Sequence, residues 1–313
     1  IRVTATPLTQ YGNQFGLVFR YRDTRNYWRF VIDRGHGWRR LEKVSNGTFS
    51  TVAFDGRPSA PYQSTDIRVD VTGTKTFIYV DGEVVFAVDN METTGGSAGL
   101  YAARETAFDN VVIAETPALA KAAIADPVAY SVPVPGNTSA PYSLPVKAVA
   151  DNVPVGGGIA FVLTDATGNQ TAETVWSAPY ATTFTNLPIG DCSLKARILD
   201  ATGTPIANGL STDTNQTIGI GGKYFVCLGD SITYGQGDDI TIDNASADGR
   251  NMNQGYPPVL NDMLSDALQV PLTVYSEGFG GELSMDGLAR LNDTIARHPH
   301  SQYWLLLFGT NDS

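Results

Sequence analysis

Residues 224–235 read Tyr-Phe-Val-Cys-Leu-Gly-Asp-Ser-Ile-Thr-Tyr-Gly, and the interpretation of this stretch decides the C-terminal part of the chain. Five apolar residues in succession suit a strand buried on both faces, and Gly229-Asp230-Ser231 then ends the run abruptly. A serine just past a buried strand, beside a glycine that permits a sharp turn, can be held exposed at the sheet edge as a nucleophile. The same three residues also fit an ordinary strand-to-helix turn with Ser231 as N-cap.

Downstream, a loop rich in Asp, Gly and Asn (236–254) leads to Pro257-Pro258. These prolines start a helical stretch with Val259, Leu260, Met263, Leu264, Ala267 and Leu268 on one face. Pro271–Tyr275 reads as a second strand, and Ser284–His298 as a second helix striped by Leu288, Leu291 and Ile295. Tyr303–Phe308 reads as a third strand, almost wholly apolar, as a parallel strand covered by helices is. The order βαβαβ predicts the beginning of a doubly wound parallel sheet, where reactive groups collect at the carboxyl ends of strands. Those ends carry Gly229-Asp230-Ser231, then Ser276-Glu277-Gly278-Phe279-Gly280-Gly281, then Gly309-Thr310-Asn311-Asp312.

These three blocks, in this order and strand context, resemble the first three sequence blocks of the SGNH (GDSL) hydrolases. The resemblance implies a flavodoxin-like α/β fold and serine ester hydrolysis. It makes Ser231 the nucleophile and one backbone donor, Gly278 a backbone N–H donor to the oxyanion, and Asn311 a side-chain donor to the same oxygen. Three donors aimed at one developing alkoxide are what acyl transfer requires. Ser276 stands where the family usually has asparagine, and Gly280 where serine is common. Each block also fits a plain turn, with Asn311 tolerating a left-handed conformation.

A serine hydroxyl needs an adjacent base, usually a histidine oriented by a carboxylate. The resemblance places that pair in an Asp-x-x-His block well past the third block, whereas the sequence stops at Ser313. The chain's histidines are His36, His298 and His300. Asp33-Arg-Gly-His36 matches the string but falls in another module, and His298 and His300 flank Pro299 before the third strand, as surface or helix-terminal residues. The expectation is therefore that the sequence ends inside a domain, that the Asp and His lie beyond residue 313, and that these residues alone show little or no turnover. An edge as apolar as Tyr303–Phe308 also calls for covering polypeptide, whether a continuation, a further chain or self-association.

The rest of the chain is β-patterned. Over residues 1–116, short runs alternate apolar and polar positions, as in Tyr27–Ile32 and Ile67–Val71, with a hairpin signal at Asp81-Gly82 and another at Gly35-His36-Gly37. The pattern resembles concanavalin A-like (laminin G-like) jelly rolls of secreted carbohydrate-active proteins, with the opening strands of such a module missing. Trp28, Trp38 and Tyr27 fit either core packing or stacking on sugars. Residues 117–125 read as an alanine-rich linker. Residues 126–221 return to short strands with turns at Pro135-Gly136, Thr167-Gly-Asn169 and Thr202-Gly203, and resemble bacterial Ig-like modules. Residues 222–313 form the hydrolase-like part.

The chain has 313 residues with 42% hydrophobic and 17% charged, ordinary for folded domains. Its net charge of −11 argues against nucleic acid as a partner. No apolar run reaches the length of a membrane span. Cys192 and Cys227, in strand-like contexts, read as separate buried thiols, and no metal or organic cofactor is implied. The leading expectation is an extracellular or cell-surface SGNH-type esterase acting on a glycan or polysaccharide ester. The alternatives are a non-catalytic adhesin or fibre subunit, and a lipase or thioesterase.

Overall fold

The structure, a computed structural model, describes residues 1–8, 14–34, 38–55, 63–89, 95–115, 118–128, 132, 140–206, 210–211, 216–235 and 255–312. The expected turns at Gly35-His36-Gly37 and Pro135-Gly136, and the polar loop 236–254, lie outside the described residues.

Ten strands build the N-terminal part: β1 (Arg2–Pro7), β2 (Gln14–Asp23), β3 (Asn26–Asp33), β4 (Trp38–Ser45), β5 (Thr48–Asp55), β6 (Thr65–Thr72), β7 (Lys75–Val80), β8 (Glu83–Asp89), β9 (Ser97–Ala102) and β10 (Thr106–Val112). They form two five-stranded sheets, ordered β10-β1-β6-β7-β8 and β5-β4-β3-β2-β9. Alternation directs Phe15, Leu17 and Phe19 of β2 and Trp28, Phe30 and Ile32 of β3 into one core, where Val3, Ile67, Val69 and Ile78 of the facing sheet meet them. Trp28 is therefore a core residue. Asp81 and Gly82 both take positive φ, 52° and 85°, as a tight hairpin between β7 and β8 requires.

A second pair of four-stranded sheets follows, ordered β15-β12-β11-β17 and β14-β13-β16-β18. Its strands are β11 (Lys121–Asp126), β12 (Tyr142–Asp151), β13 (Gly158–Thr164), β14 (Gln170–Val175), β15 (Ala181–Leu187), β16 (Gly190–Leu199), β17 (Leu210–Ser211) and β18 (Gln216–Ile220). Here the structure departs from the expected linker at 117–125, because from Lys121 onward the chain is strand β11. The alanines have a packing reason. Ala122 and Ile124 enter the core of this sandwich, while Ala123 on the opposite face meets Phe77, Tyr79, Val84 and Ala87 of the preceding one. Where a strand is pressed on both faces, alanines let the neighbouring sheets close in on it. Lys121 is 1% exposed, and its Nζ donates to Asp70 Oδ2 of β6 at 2.8 Å, an ion pair between the two sandwiches. Removing one partner of such a pair typically costs about 3–5 kcal/mol.

The last part contains β19 (Lys223–Gly229), α1 (Ser231–Tyr234), α2 (Tyr256–Leu268), β20 (Leu272–Gly278), α3 (Ser284–Arg297) and β21 (Tyr303–Leu307). The strands are parallel, in the order β20-β19-β21. Ser276 bonds to α1 and its neighbour Glu277 bonds to α3. Successive strand residues face opposite ways, so helices lie on both faces of the sheet, as a doubly wound arrangement demands. Cys192 and Cys227 are separate, buried thiols, which burial pushes up to about 12 and about 11. Among the described residues no helix is long and apolar enough to cross a membrane.

Candidate active site

The turn that carries Ser231 is shaped by the glycine that opens it. A Cβ on Gly229 would lie 2.1 Å from Thr233 Oγ1 and 2.5 Å from the Leu307 carbonyl, so only glycine lets α1 start at once while β21 stays paired. Asp230 is fully buried and caps α1, its Oδ1 accepting from the Ile232 N–H at 3.0 Å. Its own N–H donates to the Leu307 carbonyl at 3.2 Å. The cap is therefore Asp230, and Ser231 is the first residue of the helix. Ser231 is half-buried, and its hydroxyl has no hydrogen-bond partner among the described residues.

Gly229 is in register with Gly278 of β20 and with Leu307 of β21, so the three strand ends stand side by side. Gly278 is buried, and a Cβ there would lie 2.2 Å from the Tyr234 amide nitrogen. Its lack of a side chain thus lets β20 close against α1. Ser276 strengthens that closure, donating from Oγ to the Thr233 carbonyl at 3.1 Å. Beyond Gly278, the Phe279 N–H donates to the Gly229 carbonyl at 2.9 Å. Gly281 then turns at φ +79° with open space where a side chain would be, and it is exposed together with Gly280.

The third block is bonded to the second. Asn311 donates from Nδ2 to the Glu282 carbonyl at 3.0 Å, and Asp312 Oδ1 accepts from the Ser284 N–H at 2.7 Å. A carboxamide carries two N–H groups. The other N–H of Asn311 has no partner among the described residues.

Beneath this rim lies a buried ionic cluster that the sequence reading missed. Glu277, 3% exposed, accepts from Arg297 at 2.7 and 3.1 Å and stands 3.5 Å from Arg290 and 3.9 Å from Arg40 of the first sandwich. His298 is also inside, a correction to its expected surface place. It caps the C-terminal end of α3 but is 1% exposed, packed edge-on against Phe54. Its Nδ1 meets the Tyr224 hydroxyl at 2.5 Å and its Nε2 meets Glu277 at 2.8 Å. Burial pushes His298 below its ordinary value despite the carboxylate beside it. A neutral ring accepting from Tyr224 and donating to Glu277 satisfies both contacts. Burial alone would raise the Glu277 carboxyl, but the bond from His298 and the charges of Arg297 and Arg40 outweigh it and hold it well below the usual range. Burial pulls the Arg40 guanidinium down to about 10. The available signal was a single carboxylate, Glu277, at the end of a buried strand, which must find cations when buried. His300 is exposed beside this cluster, and His36 lies outside the described residues. No described histidine stands at the rim of Ser231.

A glycine-gated serine, a glycine turn and an Asn-Asp pair thus converge on one edge of a parallel sheet. Residues 227–313 match the GDSL-like lipase/acylhydrolase family. The match covers a little over a quarter of the chain, and this GDSL-like region suggests an esterase- or lipase-type function. Among solved structures, AlinE4, an SGNH-hydrolase family esterase, is similar at 21% identity and TM-score 0.23, over 29% of this chain and 42% of its own length. The carbohydrate-binding module CBM66 from Bacillus subtilis is similar at 21% identity and TM-score 0.30, over 35% of this chain and 70% of its own. Sheep galectin-11 is similar at 11% identity and TM-score 0.28, over 34% and 86%. No curated protein matches the sequence.

Proposed function

We propose that the GDSL-like region is the nucleophile-bearing half of a serine esterase acting on esters of a glycan, within an extracellular or cell-surface protein. The observation that carries this reading is the rim itself. Among the described residues the Ser231 hydroxyl has no partner and stands beside three strand ends in register, and Asn311 commits one N–H to the Glu282 carbonyl and its other N–H to no described residue. In this reading Ser231 Oγ attacks the ester carbonyl carbon. The developing oxyanion takes hydrogen bonds from the Ser231 N–H, from the free N–H of Asn311 and from the backbone of the turn that Gly278 opens and Gly281 closes. Collapse of the tetrahedral intermediate releases the alcohol, and water then frees the acyl group.

The general base and its carboxylate come from residues other than those described. We place them on polypeptide that covers the open side of β21, where Tyr303, Leu306 and Leu307 are 43%, 65% and 40% exposed. The glycan assignment rests on the resemblance of residues 1–116 to sugar-handling jelly rolls. The same exposed strand also favours a second reading, a non-catalytic adhesin or fibre subunit that uses β21 for assembly.

Hydrolysis of p-nitrophenyl acetate, by the protein with that covering polypeptide present, separates the two. The esterase reading expects turnover that Ser231→Ala abolishes. It also expects Asn311→Ala to lower kcat by about 100- to 1,000-fold, on the order of 3–4 kcal/mol of transition-state stabilisation. Turnover unaffected by Ser231→Ala removes the serine from the chemistry.

A further inference from the structure

Arg290 lies on α3, away from the place where a scissile ester would sit, yet it touches each segment that carries a proposed site group. Its Nε and Nη2 form a two-pronged pair with Glu282 Oε1 and Oε2, at 2.5 and 2.7 Å. The same Nη2 donates to the Glu277 carbonyl at 2.7 Å and lies 3.5 Å from the Gly229 carbonyl. The guanidinium also faces the Phe279 ring at 5.3 Å from its centre. Gly229 leads into Asp230-Ser231, Glu277 leads into Gly278, and the Glu282 carbonyl is the acceptor for Asn311.

We propose that Arg290 is a positioning residue for the ester-hydrolysing site, a role that rests on the esterase reading above. One rigid fork holds the nucleophile turn, the glycine turn and, through Glu282, the carboxamide of Asn311 in a single register. The planar guanidinium suits this task because its donors leave in fixed directions, and the side chains of Arg290 and Glu282 are only 18% and 11% exposed. A lysine carries the charge but lacks the fork. Misplacement of a reacting group by about 1 Å is enough to cost on the order of 100-fold in rate.

The test uses Arg290→Met and Arg290→Lys in the full protein, with Glu282→Gln as a milder variant that keeps α3 intact. The first readout is hydrogen exchange at the Asn311 side-chain amide by 15N-asparagine NMR, with Asn152 of the second sandwich as reference. Arg290→Met is expected to speed exchange at Asn311 at least about 10-fold while Asn152 holds, because a released carboxamide exchanges as exposed groups do. The second readout is ester turnover. Kcat is expected to fall about 100-fold with KM within about twofold, Arg290→Lys to restore little of it, and Glu282→Gln to fall part of the way. An Asn311 amide that does not respond in any of the three variants overturns the positioning role, and so does a kcat left unchanged by Arg290→Met when the wild-type enzyme turns ester over. If the wild-type protein with its covering polypeptide hydrolyses no ester while Asn311 still responds to Arg290→Met, the esterase reading fails, and what Arg290 holds in register is the three turns alone and not a catalytic site.

Discussion

The strands β20 and β21 flank the same central strand and run the same way, yet they end in opposite conditions. In β20, Leu272, Thr273 and Val274 are almost completely buried, and Tyr275 packs against Phe54 of the first sandwich. Its one carboxylate, Glu277, is surrounded by cations from two modules. In β21, Leu306 is 65% exposed. The difference teaches that apolar composition announces a strand meant to be covered but does not say what covers it. For β20 the cover is a remote part of the same chain, held by charge and aromatic contact. For β21 the described residues cover Trp304 and Leu305 in part and leave Leu306 and Leu307 exposed.

The largest expected effect comes from breaking the covered side. Glu277→Ala leaves Arg40, Arg290 and Arg297 facing one another without their shared carboxylate. It should lower the unfolding free energy by about 3–5 kcal/mol, read from urea denaturation. An effect below about 1 kcal/mol would mean that the cluster is screened and the two modules are not held by it.

Acid should reveal the same cluster more gently. His298 and Glu277 are both held below their ordinary values in the folded protein, so each binds protons more readily after unfolding. Their contributions are fully present above the ordinary values of 6.5 and 4.5 and are lost as pH falls below them. Melting temperature should therefore be level above about pH 6.5 and decline on acidification. His298→Gln should flatten the upper stage of that decline, and an unchanged profile would sink the buried neutral histidine.

The smallest effect on stability belongs to the open side. Leu306→Lys should change the unfolding free energy by no more than about 0.5 kcal/mol, because little is packed against that side chain. It should nonetheless weaken any concentration-dependent association seen by sedimentation, since it places a charge on the bare strand. A large loss of stability would show that β21 is covered after all.

Where one physical signal dominated, the sequence was readable. The apolar run before Gly229-Asp230-Ser231 has few interpretations, and the parallel run of β19, β20 and β21 follows from alternating strands and helices. The turns at Thr167-Gly-Asn169 and Thr202-Gly203 were also legible. Each is held by an aspartate, Asp165 or Asp200, whose Oδ1 accepts from the backbone and the threonine hydroxyl two residues on. Features set by distant partners were not legible. Lys121–Asp126 looks like a spacer because its alanines carry no alternation of bulk, and their smallness makes sense only with a sheet on either side. His298 sits before Pro299 and reads as a surface or helix-terminal residue until Tyr224 and Glu277 are seen to hold it. Arg290 has the spacing of any charged helix residue, and nothing local names the carbonyls it will meet.

Strand β11 has one consequence for anyone wishing to divide this protein. It serves as inner wall for one sandwich and outer cladding for the other, and its lysine is locked to the far side. A cut before Lys121 strips Phe77 and Tyr79 of their roof, and a cut after Asp126 leaves the next unit short of a central rib. The sensible place for a scissor is elsewhere, and the two sandwiches are better handled as one piece of masonry than as beads on a string.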